Sequence, residues 1–372
     1  MLENSPSLSP RERLDRVRLI RSQNVGPVTF RQLLERYGSA SSALEALPEL
    51  ARQGGLRKPL CLCSADTAAR EMDAVAQLGG QLIVIGEPDY PLPLAAIADA
   101  PPVLSVLGDV NLLSRTTIGV VGARNASTNG RRFAENLARD LSKAGVLVAS
   151  GLARGIDTAV HTGALEGGTV AVLAGGVDVI YPKENTSLYE AIRDRGVIVS
   201  EMPPGTEPMA RHFPSRNRII SGLSLGIVVV EAALRSGSLI TARLAGEQGR
   251  EVFAIPGSPL DPRARGANNL IRNGATLTES AEDVLEGIRA MHEQQLGEPK
   301  QDDFGIQPVS DEDHLATART MILECLGPTP VSIDAILRDT GLPVGTVWTV
   351  LLELELAGRL ERQPGGKVAL LL

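Results

Sequence analysis

Rings are scarce in this chain: aromatic residues make up 3% of its 372 residues, with a single Trp. Its cores must be built from Leu, Val, Ile and Ala, and little ring surface remains for stacking against a ligand. Cysteine is scarcer still. Cys61, Cys63 and Cys325 cannot form a disulfide framework. Cys-x-Cys without a neighbouring His or a second Cys pair is not a zinc site, so no metal is expected. No stretch reaches the roughly 18 consecutive apolar residues of a membrane span, and MLENSPSLSPRERLDRVRLI lacks the apolar centre of a signal peptide. A cytoplasmic location without membrane contact is the expectation.

Positive charge is also short, with a formal net charge of −7. That total argues against a polyanionic ligand, because neutralising phosphates takes Lys and Arg. Its distribution reverses the argument: residues 1–114 carry −2, residues 115–292 carry +2, and residues 293–372 carry −7. The acidity lies almost wholly at the C-terminal end.

What is present is organised in blocks. Residues 1–80 read as short helices, with apolar positions at helical spacing in Leu14–Leu19 and Phe30–Leu33–Leu34. NVGPVTFRQLLERYGSASSALEAL places Gly26-Pro27 and Gly38-Ser39 between helices, as helix-hairpin-helix and sterile-alpha-motif-like modules do. Such a hairpin can offer N–H groups to a phosphate, although Pro27 removes one, and an ordinary helical turn fits equally.

Residues 81–292 change to apolar, β-branched runs separated by helical stretches: LIVI, VLSVL, IGVVG, VLVAS, VAVLAG, VIVS, GIVVVE and EVFAIPG. Continuous apolar runs alternating with helices describe a mostly parallel sheet covered on both faces, a doubly wound Rossmann-like α/β fold. Residues 293–313 are polar and charged and read as a linker. Residues 314–372 follow a three-helix pattern, with helices ending near Cys325, starting after Val331-Ser332, and running from Val344 to Leu356. A hairpin around Gly365-Gly366 completes a winged helix.

In doubly wound folds ligands bind beyond the carboxyl ends of the strands. There the sequence is rich in Gly, Arg and Ser. IGVV is followed by Gly122-Ala123-Arg124-Asn125-Ala126-Ser127 before a helix. VLVA is followed by Ser150-Gly151-Leu152-Ala153-Arg154-Gly155 before a helix carrying Asp157 and His161. VAVLA is followed by Gly175-Gly176-Val177-Asp178 and then Tyr181-Pro182-Lys183-Glu184-Asn185. Glycine lets backbone approach an anion, a helix N-terminus adds its dipole, and Arg supplies a fixed fork. FPSRNR, with Arg216, Asn217 and Arg218, precedes GIVVVEA and is expected on the same rim. These glycines could instead serve only tight βα turns, but that leaves the accompanying basic residues unexplained.

The usual cofactor patterns fail. Gly119-Val-Val-Gly122 lacks the G-x-G-x-x-G spacing of a dinucleotide site, and no acidic residue stands where the ribose would need it. G-x-x-x-x-G-K-[ST] is absent, which excludes hydrolysis by a P-loop. No cofactor is expected.

Taken in order, VVGARNAS, SGLARGIDTAVH, AVLAGGVDVIYPKEN, SEMPPG, FPSRNRIISGLS, VVVEA, SGSLITA and VFAIPG closely resemble the DNA-processing protein A family over about residues 80–280. The flanking modules match that family's order more weakly. The resemblance implies an extended Rossmann-like domain that binds the backbone of single-stranded DNA. Arg124 and Lys183 would be the principal cations. Gly122, Ser127, Ser150, the loop Gly151-Leu152-Ala153-Arg154-Gly155, Gly175, Asn185, Arg216, Asn217 and Arg218 would line the rest. It further implies a homodimer through the α/β domain and a RecA recombinase partner.

Three readings stand beside that one. Asp157 and His161, four residues apart, could pass for an acid/base pair, yet no nucleophile accompanies them. A capping Asp and a structural His are expected, with no catalytic residue. Nucleotide-binding proteins of related fold hydrolyse N-glycosidic bonds using a P-G-G-x-G-T loop and a following Glu. Here Ser236-Gly237-Ser238-Leu239-Ile240-Thr241 lacks that acid. The last helix of the winged helix carries Glu353 and Glu355 and no base, so a protein-contact role is expected there rather than duplex binding, with Trp348 as an apolar anchor or a core residue.

Overall fold

The computed structural model describes residues 8–295, 312–363 and 365–371. The chain forms two compact units, Met1–Leu8 with Arg70–Pro299 and Ser9–Ala69 with Lys300–Leu372. The N-terminal helices and the winged helix, expected as separate modules, therefore belong to one unit. Of the expected linker over 293–313, residues 296–311 lie outside the described residues.

The N-terminal part holds α1 (Pro10–Arg21), α2 (Pro27–Tyr37) and α3 (Ala40–Gln53). Local chemistry sets their ends. Ser9 caps α1 by accepting the N–H of Glu12, and Pro10 and Pro27 each sit at the first turn, where a missing N–H costs nothing. Gly38 closes α2 in the left-handed conformation. α4 (Ala65–Gln77) leads out of this unit.

The α/β unit continues through β1 (Gln81–Val84), α5 (Leu92–Ala95), β2 (Val103–Gly108), β3 (Thr117–Gly122), α6 (Thr128–Lys143), β4 (Leu147–Ser150), α7 (Ile156–Ala164) and β5 (Thr169–Val172). It then runs through α8 (Thr186–Arg195), β6 (Val197–Ser200), α9 (His212–Leu223), β7 (Gly226–Val230), α10 (Gly237–Glu247), β8 (Glu251–Ala254), α11 (Arg265–Arg272), β9 (Thr276–Leu277) and α12 (Ala281–Gln295). The strands form one sheet in the order β1-β2-β6-β5-β4-β3-β7-β8-β9.

From β6 to β9 every pairing is parallel, while β2 runs antiparallel to both β1 and β6. All eight apolar runs are strands. The reversal of β2 was not legible in VLSVL itself. A parallel return needs a crossover helix of useful length, and only the four-residue α5 separates β1 from β2.

Both faces of the parallel strands are covered. On β7, Ile227 and Val229 face a core shared with Ile219, Leu223, Ala242 and Ala245 of α9 and α10. Val228 and Val230 face the opposite core with Leu137 and Leu141 of α6 and Val160 of α7. Alternation along a strand thus feeds two cores, each buried side chain of this size contributing roughly 1.5–3 kcal/mol.

The C-terminal part comprises α13 (Glu312–Cys325), β10 (Val331–Ser332), α14 (Ile333–Thr340), α15 (Val344–Leu356), β11 (Leu360–Gln363) and β12 (Lys367–Leu370). Strands β10, β12 and β11 form the wing sheet, so this is a winged helix. Its third helix does not project freely. α15 packs on α3 and α2; Asn24 donates its Nδ2 to the Leu356 carbonyl at 2.9 Å, and Arg359 donates to the Gly54 carbonyl at 3.3 Å. The two acids expected to repel phosphate have partners inside the unit. Buried Glu353 is paired with Arg319 at 2.6 Å, and Glu355 with Arg362 at 2.8 Å. Trp348 is half-buried against the winged-helix core, with the Arg362 guanidinium 5.1 Å from its ring centre.

Candidate functional site

The chain doubles back at β3, which pairs with β4 on one side and β7 on the other. The loops following β3, β4 and β5 therefore come to one rim. Gly155 makes the join between the first two: its φ is +80°, and a Cβ there would stand 2.3 Å from the Ala123 carbonyl oxygen and 2.6 Å from that of Arg124. Only glycine fits. The Ile156 N–H also donates to the Ala123 carbonyl at 3.2 Å. The third loop is buttoned on by buried Asn185, whose Nδ2 donates to the Leu152 carbonyl at 2.9 Å and to Thr158 Oγ1 at 3.0 Å.

Inside this join, helix α7 takes up the amides of the glycine loop. Asp157 Oδ2 accepts the N–H groups of Gly151 and Ala153, each at 3.2 Å. His161 Nε2 accepts that of Leu152 at 3.3 Å. An Nε2 that accepts is unprotonated, so Nδ1 carries the proton and donates to Thr169 Oγ1 at 2.8 Å; the Thr169 hydroxyl in turn donates a hydrogen bond to the Val148 carbonyl at 2.7 Å. Every proton in this chain is accounted for. Burial, aided by the charge of Arg216, pushes the His161 pKa down to about 3, which keeps the ring neutral. Burial raises that of Asp157, opposed by the nearby Arg216.

Arg216 lies beneath the same loop. A Cβ on Gly151 would fall 1.7 Å from its Nη1, which itself donates to the Val172 carbonyl at 2.8 Å. Burial lowers its pKa to about 10, so it stays cationic at neutral pH behind the loop. Arg218, expected on the rim, is buried elsewhere: it donates to the Asp99 carbonyl at 2.7 Å and is paired with Glu201. Alternate faces of a helix separate two arginines only two positions apart. Asn217 is half-buried, with its Nδ2 3.5 Å from the Gly237 carbonyl.

The N-terminus of α6 is likewise occupied. Glu231, at the end of β7 with φ +51°, accepts the Ser127 N–H at 2.8 Å and the Ser127 hydroxyl. Ser127 Oγ in turn accepts the Gly130 N–H at 2.9 Å. Ser150 donates its hydroxyl to the Val120 carbonyl at 2.7 Å, and buried Gly175 accepts the Ser200 hydroxyl at 2.6 Å.

These bonds narrow the expectation that the rim offers an anion a cradle of backbone N–H groups, because four of its amides have partners inside the protein. The amide of Ser127 serves Glu231, and those of Gly151, Leu152 and Ala153 serve α7 instead. Side chains supply the exposed positive charge: Arg124, Arg154 and Lys183 all reach solvent. Arg154 is paired with Glu184, but both are largely exposed, and such a pair yields readily to a competing phosphate. The Arg124 guanidinium lies 4.9 Å from the Phe213 ring centre, and Phe213 meets Tyr181 edge-on, two residues before Lys183. The two cations named from the sequence thus share a rim. Glu231 as an internal anion and the Arg124–Phe213 contact were missed, because each joins residues far apart in the chain; the closed amides of the glycine loop were missed although their partners Asp157 and His161 lie only four to nine positions on.

Fold and rim together define a class: a doubly wound α/β protein with exposed Arg and Lys side chains on its rim, in a chain that also holds a helical and winged-helix unit. The family described as DNA recombination-mediator protein A matches residues 81–289, a DprA-like N-terminal HHH domain matches 10–74, and the DprA winged helix domain matches 307–366. The chain belongs to the DNA recombination-mediator protein A family. Protein Smf of Escherichia coli K12 is 42% identical over 285 residues, covering 76% of this chain and 75% of that protein. DNA processing protein DprA of Streptococcus pneumoniae R6 is 48% identical over 198 residues, 53% of this chain and 70% of its own length. The X-ray structure of DNA processing protein A from Streptococcus pneumoniae superposes with a TM-score of 0.63 at 36% identity, covering 76% of this chain and 98% of that one. DNA processing protein A from Helicobacter pylori, studied for its single-stranded DNA binding mode, matches with a TM-score of 0.51 at 27% identity, over 57% of this chain and 97% of that one.

Proposed function

We propose that this chain binds single-stranded DNA by its phosphates, without sequence preference, along the rim made by the loops after β3, β4 and β5. It then delivers the strand to RecA recombinase in the cytoplasm during DNA uptake and recombination. The observation that carries the reading is the grouping of solvent-reaching Arg124, Arg154 and Lys183 on loops locked together by Gly155 and Asn185. Cations on side chains that adapt to a passing backbone suit a ligand recognised by charge rather than by base edges. Arg216 adds a buried charge behind Gly151, while Gly122, Ser127, Ser150, Gly175 and Asn217 shape the surface.

The reading involves no covalent step. Asp157 Oδ2 and His161 Nε2 hold the amides of the loop, and His161 Nδ1 is bonded to Thr169, which supports a structural role for this pair. Action as a homodimer through the α/β unit, and the hand-over to RecA, rest on the family to which the chain belongs.

A gel-shift comparison of single and double strands tests the binding, using wild type and the Arg124→Ala/Lys183→Ala double variant. Loss of the single-strand complex is expected; full affinity and unchanged strand preference in the variant overturn the assignment. Faster RecA filament assembly on single strands in the presence of the protein tests the delivery, and no acceleration sinks it.

A further inference from the structure

Tyr181 is the one aromatic side chain among the described residues that stands out into solvent, 51% exposed. Every other described ring is buried or half-buried. Among the described residues the exposed ring thus lies on the cationic rim, on the loop after β5. The position is a prepared one. Pro182 beside it is buried, and Asn185 ties the same loop to Leu152. Phe213 supports the Tyr181 ring edge-on, with centroids 5.9 Å apart and planes at 61°. The same Phe213 ring carries the Arg124 guanidinium at 4.9 Å.

Phe213 thus couples a π surface to a phosphate-seeking cation, and Lys183 follows two residues on. An exposed ring fixed in this way loses little conformational freedom when a ligand covers it. Stacking is also tolerant of sequence, because every base has a π face.

We propose that Tyr181, seated against Phe213 beside Arg124, is a stacking platform for unpaired nucleobases and gives this rim its preference for single over double strands. The inference rests on the single-stranded DNA reading above and deepens it. The cations attract any phosphate backbone, single or duplex. The ring rewards only bases that are free to leave the helical stack, so duplex DNA gains nothing from it.

The test is a set of anisotropy titrations of the full chain against a labelled oligothymidylate and an abasic strand of equal length. Wild type is expected to hold the oligothymidylate on the order of ten-fold more tightly than the abasic strand. Tyr181→Ala loses about that factor on the oligothymidylate and nothing on the abasic strand, with an unchanged slope of log K against log salt. Tyr181→Phe keeps wild-type affinity on both. Equal losses on the two strands, no loss on either, or wild type binding both alike overturns the platform while leaving single-strand binding in place. Wild type failing to bind the oligothymidylate overturns the single-strand reading, and the platform with it.

Discussion

Glu231 and Ser127, a strand end and a helix cap 104 positions apart, are joined by a 2.8 Å bond from the Ser127 N–H to the Glu231 carboxylate. The N-terminus of α6 therefore already holds an anion, supplied by the protein. A helix start after a glycine-containing loop attracts phosphate only while its donors are open. Here the Ser127 and Gly130 donors are engaged within the protein.

Glu231→Ala should consequently act on stability before binding. Loss of an anionic partner at a helix N-terminus is expected to cost about 1–2 kcal/mol, read from the urea midpoint. Oligothymidylate affinity should not fall. A large loss of affinity at unchanged stability would place the carboxylate in the interface instead.

With Arg124, Arg154 and Lys183 as the cations assigned to the strand, the salt dependence should be shallow, on the order of two to four released counterions. Arg124→Ala and Lys183→Ala should each reduce the slope by about 0.7, the value for one phosphate of a single strand. Titrations between low and moderate salt measure this directly. A wild-type slope near zero removes the electrostatic account.

His161 ties acid stability to the glycine loop. Its pKa is about 3 in the fold against an ordinary 6.5, so between those values the unfolded chain binds a proton that the folded chain does not. Stability is therefore greatest above pH 6.5 and falls as the pH drops toward 3, by an amount on the order of a few kcal/mol. Asp157, whose pKa is raised by burial, works with the opposite sign above its ordinary value of 3.8, so substitution of His161 alone isolates the part of the acid limb that belongs to the imidazole. Urea midpoints across pH 4–8 should show a flatter acid limb for His161→Gln than for wild type. Identical limbs would mean that the imidazole titrates normally in the folded protein.

Arg319→Ala leaves Glu353, a fully buried carboxylate, without its partner. Breaking a buried pair from one side is expected to cost about 3–5 kcal/mol, seen as a lowered melting temperature of the unit formed by the N-terminal helices and the winged helix. Oligothymidylate binding at temperatures where this unit remains folded should persist. Removal of residues 300–372 should likewise spare binding, but it uncovers the face of α3 on which α15 rests. A melt of Arg319→Ala superimposable on wild type would show the pair to be dispensable.

Much of this protein can be read from its residues in order. Eight apolar runs name eight strands, Ser9, Ser39 and Ser127 mark helix starts, and the Gly-Arg-Ser loops mark the rim, because each of these signals depends on neighbours a few positions away. The resemblance carried by the ordered motifs agrees with the family matches across the chain.

Partners distant in the chain settled the rest. Whether β2 runs with or against its neighbours, whether Arg216 and Arg218 face solvent, and whether α15 is open or covered all depend on packing between separate segments. The loop amides are a local exception: glycine makes a donor available in principle, but Asp157 and His161, four to nine positions on, decide where it points. Local sequence set which groups could face an anion; packing engaged the amides of Ser127, Gly151, Leu152 and Ala153 inside the protein and left Arg124, Arg154 and Lys183 exposed, because an N–H already bonded has nothing left to give.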